Sequence, residues 1–364
     1  MEQRKNHKSY SPAGNKKIAG VAEKLQRIGN VKVTILSPSV ANNKSFKYYP
    51  LVISRLKVTP ILHMPVIDIP VLNIISSIVF SLFYLTIFYL RNPFDKVIYY
   101  NYNLETLIPA LWCKFILKTK IYLEYEDGFF CSAAVGFLKR TVFIICEKLG
   151  NFFNDGAFIV AEGLKKRLKT NNYAVLPGFF EEEIIEKARA ISMVPLWDGK
   201  SKKKIMYSGR IDKERGVFDF LDAVKSIGED YEIIVTGFGS GKGQMEKLCL
   251  NQTNIKFMGF LSEKEYIRVL MGMHIFVSMQ GVDSAFSKAS FPSKIMTYAS
   301  TGAIVISTRV PGIERISYLI PNLISIVSIS ELSYVINKID LEKYERIIPQ
   351  NYDFSNELRK VLSI

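Results

Sequence analysis

The sequence is poor in the residues that build metal sites and covalent cross-links: four cysteines and three histidines among 364 residues. Cys113, Cys131, Cys146 and Cys249 are scattered and form no Cys-x-x-Cys pair. That spacing excludes a zinc ribbon and a disulfide framework, and reads as reduced core thiols of a cytoplasmic protein. His7, His63 and His274 lack ligand spacing, so no metal is expected. His274 lies at the edge of an apolar strand pattern and reads as structural. No internal repeat or low-complexity tract occurs, which excludes a solenoid. No helix-turn-helix, RNP, KH or zinc-finger signature is present, so nucleic acid is not an expected partner. Met1–Asn15 is polar and charged and does not read as a signal peptide.

Acids are also in short supply. The formal charge is +14, and residues 1–60 hold twelve Lys and Arg against only Glu2 and Glu23. A surplus of that kind suits phosphorylated substrates or an anionic membrane surface. The apolar share of 48% is too high for a disordered chain and sufficient for two domains. Val71–Leu90 carries no charge over 20 residues, the length of a transmembrane helix, yet it includes Asn73, Ser76, Ser77, Ser81 and Thr86. A span here would put strands of one sheet on opposite sides of a bilayer. The stretch therefore reads as a buried or membrane-skimming helix, and the chain as peripheral at the inner face of the plasma membrane.

Strand and helix patterns alternate along the chain, which argues an α/β fold with parallel sheets. Ser9–Asn15 reads as a loop and Lys16–Ile28 as a helix, with apolar Ile18, Val21, Leu25 and Ile28 and a stop at Gly29. Strands are expected at Val31–Leu36, Lys96–Tyr100, Lys120–Tyr125, Gly156–Val160 and Tyr173–Leu176. The charged stretch 181–203 reads as a linker between a domain at 1–180 and a second at 204–349, with a last helix near 350–364 crossing back to the first. Strands at Lys204–Tyr207, Tyr231–Thr236, Ile255–Phe257, His274–Ser278 and Ala303–Ser307 make the second sheet. Before the last of these, Ser290 can cap a helix, Pro292 suits its first turn, and Gly302 suits a left-handed end. Ser293 and Lys294 then stand where free N–H groups could hold a phosphate.

The segment Phe291-Pro-Ser-Lys-x-x-x-Tyr298-x-x-x-Gly302, followed by Ile-Val-Ile-Ser-Thr, resembles the donor-site segment of bacterial family-4 glycosyltransferases. It is closest to a branch that builds surface polysaccharides. The likeness is specific over 203–316 and loose over 1–190. It implies the GT-B fold, two Rossmann-like doubly wound domains facing a cleft. It also implies sugar transfer from a nucleotide-sugar co-substrate to a saccharide or lipid-linked acceptor, with retention of configuration, no cofactor and no metal. Gly209-Arg-Ile-Asp-Lys-Glu-Arg-Gly216 resembles the family motif whose two cations, here Arg210 and Arg215, meet the donor diphosphate. Gly237 and Gly239 resemble the turn beside the nucleotide, and Gly259-Phe260 the segment that meets the base. Thr297 stands where many members carry a ribose-binding glutamate, and Ala289 eight residues earlier replaces the first acid of the pair. In the family a Gly-bearing loop follows the first strand; here Gly14 is the candidate for that acceptor-side loop, and no strand pattern precedes it.

The family often places a histidine at the end of a strand in the first domain. The corresponding stretch here, Glu124-Tyr-Glu-Asp127, has none. A carboxylate at a strand end can accept the proton an acceptor hydroxyl loses. Asp127, next to the turn-forming Gly128, is the first choice for that base and Glu126 the alternate. Two other readings stay open: another GT-B enzyme such as a nucleotide-sugar epimerase, and a non-catalytic partner subunit, which the departures at Ala289 and Thr297 favour.

Overall fold

Short β-branched runs with both faces apolar can only be stable as strands covered on both sides. The second half of the chain carries five of them, and in the computed structural model they lie side by side. The structure describes residues 12–29, 31–38, 46–126, 128, 136–192, 194–212, 216–250, 252–279, 289–350 and 353–364. By internal contacts the chain divides into Met1–Pro177 with Asp353–Ile364, and Gly178–Tyr352.

In the first unit, α1 (Pro12–Arg27) precedes β1 (Ile35–Ser37), β2 (Tyr48–Tyr49), β3 (Val52–Leu56), β4 (Thr59–His63) and β5 (Val66–Ile67). Then come α2 (Leu72–Arg91), β6 (Lys96–Tyr100), α3 (Leu104–Phe115), β7 (Lys120–Tyr125), α4 (Phe137–Phe153), β8 (Gly156–Ile159) and β9 (Tyr173–Val175). Strands β6-β7-β8-β9 form a parallel sheet in that order. Two small sheets stand apart from it, β1-β4-β3 and the antiparallel pair β2-β5. The first unit is thus α/β with a parallel sheet, as the resemblance implies, and carries the two small sheets besides. The β3–β4 hairpin and the β2–β5 pair interrupt the alternation. The expected loop at Ser9–Asn15 also differs, because α1 already covers residues from Pro12 onward.

The C-terminal helix Ser355–Leu362 packs on this unit. It buries Leu358, Val361 and Leu362, and the Val361 carbonyl accepts a bond from Asn172 Nδ2 at 2.9 Å. Helix α2 packs against α3, where Trp112 Nε1 donates to Thr86 Oγ1 at 3.0 Å. It is long and apolar enough to cross a membrane, yet only 28% of its apolar window is buried, so it is not a core helix.

In the second unit, α5 (Glu182–Arg189) occupies part of the stretch read as a linker and buries Ile184, Ile185 and Ala188. A six-stranded sheet follows: β10 (Lys203–Arg210), β11 (Tyr231–Phe238), β12 (Ile255–Phe257), β13 (Ile275–Ser278), β14 (Ile304–Thr308) and β15 (Leu323–Ile326). Helices α6 (Val217–Val224), α7 (Lys242–Leu250), α8 (Glu263–Met271) and α9 (Lys294–Ala299) intervene. The strand order is β12-β11-β10-β13-β14-β15, and every pair is parallel. All carboxyl ends therefore share one edge. The chain winds outward from β10 through β11 to β12, then returns to β13 on its other side, so the winding reverses between β10 and β13.

Glycine spacing at that edge has a steric cause. Gly237 pairs with Gly209 across β10–β11, at φ +142°, and a Cβ on it would stand 1.7 Å from the Gly209 carbonyl oxygen. Gly259, at φ +63°, faces open space. The two glycines should therefore separate in a mutational test. Gly259→Ala should cost about 1–2 kcal/mol for its left-handed backbone alone. Gly237→Ala should cost roughly 2–5 kcal/mol, strain and overlap together. Urea unfolding of both variants checks this; equal midpoints would refute the steric account.

Candidate active site

Open α/β sheets bind ligands at the carboxyl edge where the winding reverses, because the loops on either side there diverge and leave a crevice. In the second unit this is the edge between the carboxyl ends of β10 and β13. Arg210 is the last residue of β10, and the chain after β13 leads into Phe291–Lys294 and α9. One side chain ties the two together. Tyr298 of α9 donates its hydroxyl to the Ser208 carbonyl at 3.1 Å, accepts from the Ser208 N–H at 2.8 Å, and stacks on Phe276 at 4.6 Å. The helix that presents Lys294 is thereby fixed to the strand that presents Arg210.

The loops after β10, β11 and β12 are bonded to one another. The Ile211 N–H donates to the Phe238 carbonyl at 2.9 Å, the Gly241 N–H to the Ile211 carbonyl at 2.8 Å, and the Gly237 N–H to the Gly259 carbonyl at 2.8 Å. Asp212 accepts from the Ser240 N–H at 2.9 Å and from Arg210 Nε at 2.6 Å. Burial alone would raise the Asp212 carboxyl, but the Arg210 and Ser240 bonds outweigh it and hold it below its ordinary value. The Arg210 guanidinium sits 5.6 Å from the Phe238 ring, and Phe238 meets Phe260 edge-on at 5.5 Å. Arg210, Gly237, Gly239, Gly259 and Phe260 are thus brought to one edge, with the Arg210 and Phe260 side chains exposed.

Helix α9 differs from its expected form. It starts at Lys294, and its N-cap is Ser293, whose side chain makes no capping bond; Pro292 lies before the helix. The Lys294 ammonium rests 4.5 Å over the Tyr266 ring and 3.3 Å from its hydroxyl. A cation–π contact therefore accounts for a lysine in this first turn without an anion. Thr297 is buried and donates to a Glu181 carboxylate oxygen at 2.5 Å, while the Glu181 N–H donates to Ser300 Oγ at 2.8 Å. A carboxylate does stand beside position 297, supplied from a residue 116 positions earlier. Its signal was hidden, because the linker reading set aside the stretch that holds it.

In the first unit, β7 runs into Glu126, whose N–H donates to Asn101 Oδ1 at 2.8 Å. Asn101 follows β6 with φ 54° and in turn bonds the Glu124 carbonyl through its own N–H at 2.9 Å. Lys17 of α1, 5% exposed, places its ammonium 2.7 Å from Glu124 Oε1, in an ion pair with Glu126, and 2.5 Å from the Leu176 carbonyl. Two carboxylates share one buried cation. Burial pushes the Glu126 carboxyl up to about 7; Lys17 opposes this and the like charge of Glu124 adds to it. Burial likewise raises Glu124. The Lys17 ammonium is held above its ordinary value, since the two glutamates outweigh the cost of burial.

Gly14 lies in the first turn of α1 and is buried, so it is not part of a loop. Sequence reading missed Lys17. The signal was its spacing, one turn ahead of Val21 and two ahead of Leu25 on the buried face of α1. Asp127 and Arg215 lie outside the described residues. His274 accepts the Lys204 N–H on Nδ1 at 2.9 Å, and burial together with nearby Arg346 and Lys204 lowers it to about 4. Among the described residues no group of three or more His, Cys, Asp or Glu could hold a metal ion.

Residues 202–322 match the family model described as glycosyl transferases group 1. The match covers the β10–β14 edge described above. Sucrose-phosphate synthase from Thermosynechococcus elongatus is similar at TM-score 0.65 and 14% identity, over 95% of this chain and 88% of that one. Trehalose-6-phosphate from E. coli bound with UDP-2-fluoro glucose is similar at 0.59 and 10%, over 98% and 93%. The lipopolysaccharide outer core galactosyltransferase WaaB, in its apo form, is similar at 0.58 and 12%, over 97% and 96%. No curated protein matches the chain. The fold is α/β with parallel sheets, that of GT-B glycosyltransferases, and the family match and fold together support sugar transfer.

The buried triad makes a direct prediction. Lys17→Met leaves two buried carboxylates without their cation and should cost about 3–5 kcal/mol. A carboxyl whose folded pKa lies above its unfolded value loses stability as pH rises between the two. The deficit should therefore be larger near about pH 8 than near about pH 5, where both groups can take protons. Denaturant titrations at the two pH values test this; a pH-independent deficit would show that Lys17 does not balance the pair.

Proposed function

We propose that this chain is a family-4 glycosyltransferase. It moves a sugar from a nucleotide-sugar donor to a saccharide or lipid-linked acceptor during bacterial surface-polysaccharide synthesis. The observation that carries the reading is the coincidence of the group 1 match with the winding reversal between β10 and β13. The Phe291-Pro-Ser-Lys294 segment supports the surface-polysaccharide branch, and the likeness to WaaB agrees with it. The likeness to a protein bound with UDP-2-fluoro glucose supports a nucleotide-sugar donor. Free, buried Cys113 and Cys146 support a reducing, cytoplasmic location at the inner face of the plasma membrane.

In this reading Arg210, Arg215 and Lys294 neutralise the donor diphosphate, and Ser293, Gly237 and Gly239 line it with backbone. Glu181, held by Thr297, offers a carboxylate to a donor hydroxyl. Gly259 and Phe260 meet the base. The bond from the sugar anomeric carbon to phosphate oxygen breaks, a bond to the acceptor oxygen forms with retention, and the nucleoside diphosphate leaves. The acceptor proton passes to a carboxylate at the end of β7, Glu126 or its neighbour Asp127. A carboxyl near 7 suits that task, since it is half ionised at neutral pH and still basic enough to take a proton. No cofactor beyond the nucleotide-sugar enters.

Two measurements follow. Calorimetry with UDP and other nucleoside diphosphates on Arg210→Ala, Arg215→Ala and Lys294→Ala should show each weakening binding by roughly 1.5–3 kcal/mol. Unchanged affinity in all three would remove the donor assignment. Turnover should rise with pH through about 7 in the native chain, following the Glu126 carboxyl, and Glu126→Gln should abolish the inflection. Full turnover in both Glu126→Gln and Asp127→Asn would move the proton to the donor phosphate.

A further inference from the structure

Helix α2 has its polarity reversed. The residues it buries are Asn73, Ser76, Ser77 and Ser81. Those it exposes include Leu72, Ile75, Val79, Phe83 and Leu90, spaced three, four or seven apart and so aligned along one face. Ser77 is 0% exposed while Phe83 is 56% exposed. A helix docking on a domain normally does the opposite.

Helix α4 shares the pattern in part, since it buries Phe143 and Cys146 together with two polar side chains. Its buried face holds Glu147 and Asn151, satisfied by bonds from Arg167 Nε at 2.6 Å and from the Tyr102 hydroxyl at 2.8 Å. Its outer face shows Leu138, Ile145, Leu149 and Phe152, the last 68% exposed. The two faces are joined through α3, whose Trp112 bonds Thr86 of α2 and whose half-exposed Phe115 packs edge-on against Phe153 of α4 at 4.9 Å. Two apolar stripes on one unit, linked by a hydrogen bond on one side of α3 and a ring contact on the other, exceed the scattered apolar exposure of an ordinary surface.

We infer that the α2–α3–α4 face of the first unit rests on an anionic lipid bilayer, with α2 and α4 lying in its interfacial plane. Charge selects this occupant. The exposed charges of α2 and α4 are Arg91, Lys139 and Lys148, all cations, and the one acid in either helix, Glu147, is buried and paired with Arg167. Lys169 adds its ammonium 5.2 Å from the Phe152 ring. A second copy of this face would bring like charges together, whereas anionic headgroups neutralise them. A helix of 20 residues is roughly 30 Å long, enough to bury an extended apolar stripe among acyl chains while its polar side stays on the protein. The inference concerns a surface of the first unit, whereas the β10–β13 edge belongs to the second, and it holds whether or not the chain transfers sugar.

The full chain should sediment with phosphatidylglycerol–phosphatidylcholine vesicles, less with pure phosphatidylcholine, and less at high salt. Phe83→Glu and Phe152→Glu, on different helices, should each lower partitioning about tenfold or more. Leu250→Glu, at a still more exposed position in the other unit, should leave it unchanged. In case a variant folds poorly, hydrogen exchange on the native chain gives a second reading. Vesicles should protect 72–91 and 137–153. Absence of sedimentation, protection elsewhere only, or undiminished binding by both variants would overturn the proposal. So would a self-associated species that Phe83→Glu dissolves, which would assign the face to a second copy.

Discussion

The second unit depends on two strands ending against each other without side chains. Gly209 and Gly237 pair across β10 and β11, and the space a Cβ would need at Gly237 is taken by the Gly209 carbonyl. This contact lets the loops after β10, β11 and β12 bond directly through their backbones. Arg210, Phe238 and Phe260 are consequently displayed on a rigid base. On the other side of the winding reversal, Tyr298 fixes α9 to β10 through both backbone groups of Ser208. The glycine contact and the tyrosine clamp thus fix, from opposite sides, the backbone that presents Arg210 and Lys294.

The first unit uses a different device. The charged groups at the end of β7 are buried rather than displayed, and Lys17 is one cation between two carboxylates. Such a triad retains a proton near neutrality because removing it leaves an excess negative charge in a dry site. The Asn101 bond to the Glu126 N–H fixes the carboxylate that lies nearer solvent. The same unit turns Asn73, Ser76, Ser77 and Ser81 of α2 and Glu147 and Asn151 of α4 inward, and leaves apolar stripes of both helices outside.

Legibility in the sequence followed the range of the interactions. The second sheet was readable because its strands are covered on both faces and declare themselves as runs such as Ile304-Val-Ile306, punctuated by glycines. The left-handed end at Gly302 was readable for the same local reason. In the first unit β2 and β5 are two residues long, too short for any period to show, and the β3–β4 hairpin turns on Lys57 at φ 51°, not on a glycine. The start of α1 was masked by Pro12, Gly14 and Asn15, which read as loop residues. Lys17 and Glu181 were out of reach for another reason. Their partners lie more than a hundred residues away, and only the fold brings them together. The apolar stretch 71–90 was visible, but which of its faces would be buried was not, since the serines gave no hint that they point inward.

The central claim is that the winding reversal in the second unit holds a nucleotide-sugar whose sugar is given away. The most direct test is to incubate the full chain with a panel of nucleotide-sugars and follow each by NMR. The account predicts that one donor is consumed with release of its nucleoside diphosphate, slowly to water and faster with a saccharide or lipid-linked acceptor. Conversion of the sugar ring while it stays attached to the nucleotide would contradict the account in favour of an epimerase. An unaltered panel, with acceptor present, would contradict catalysis altogether.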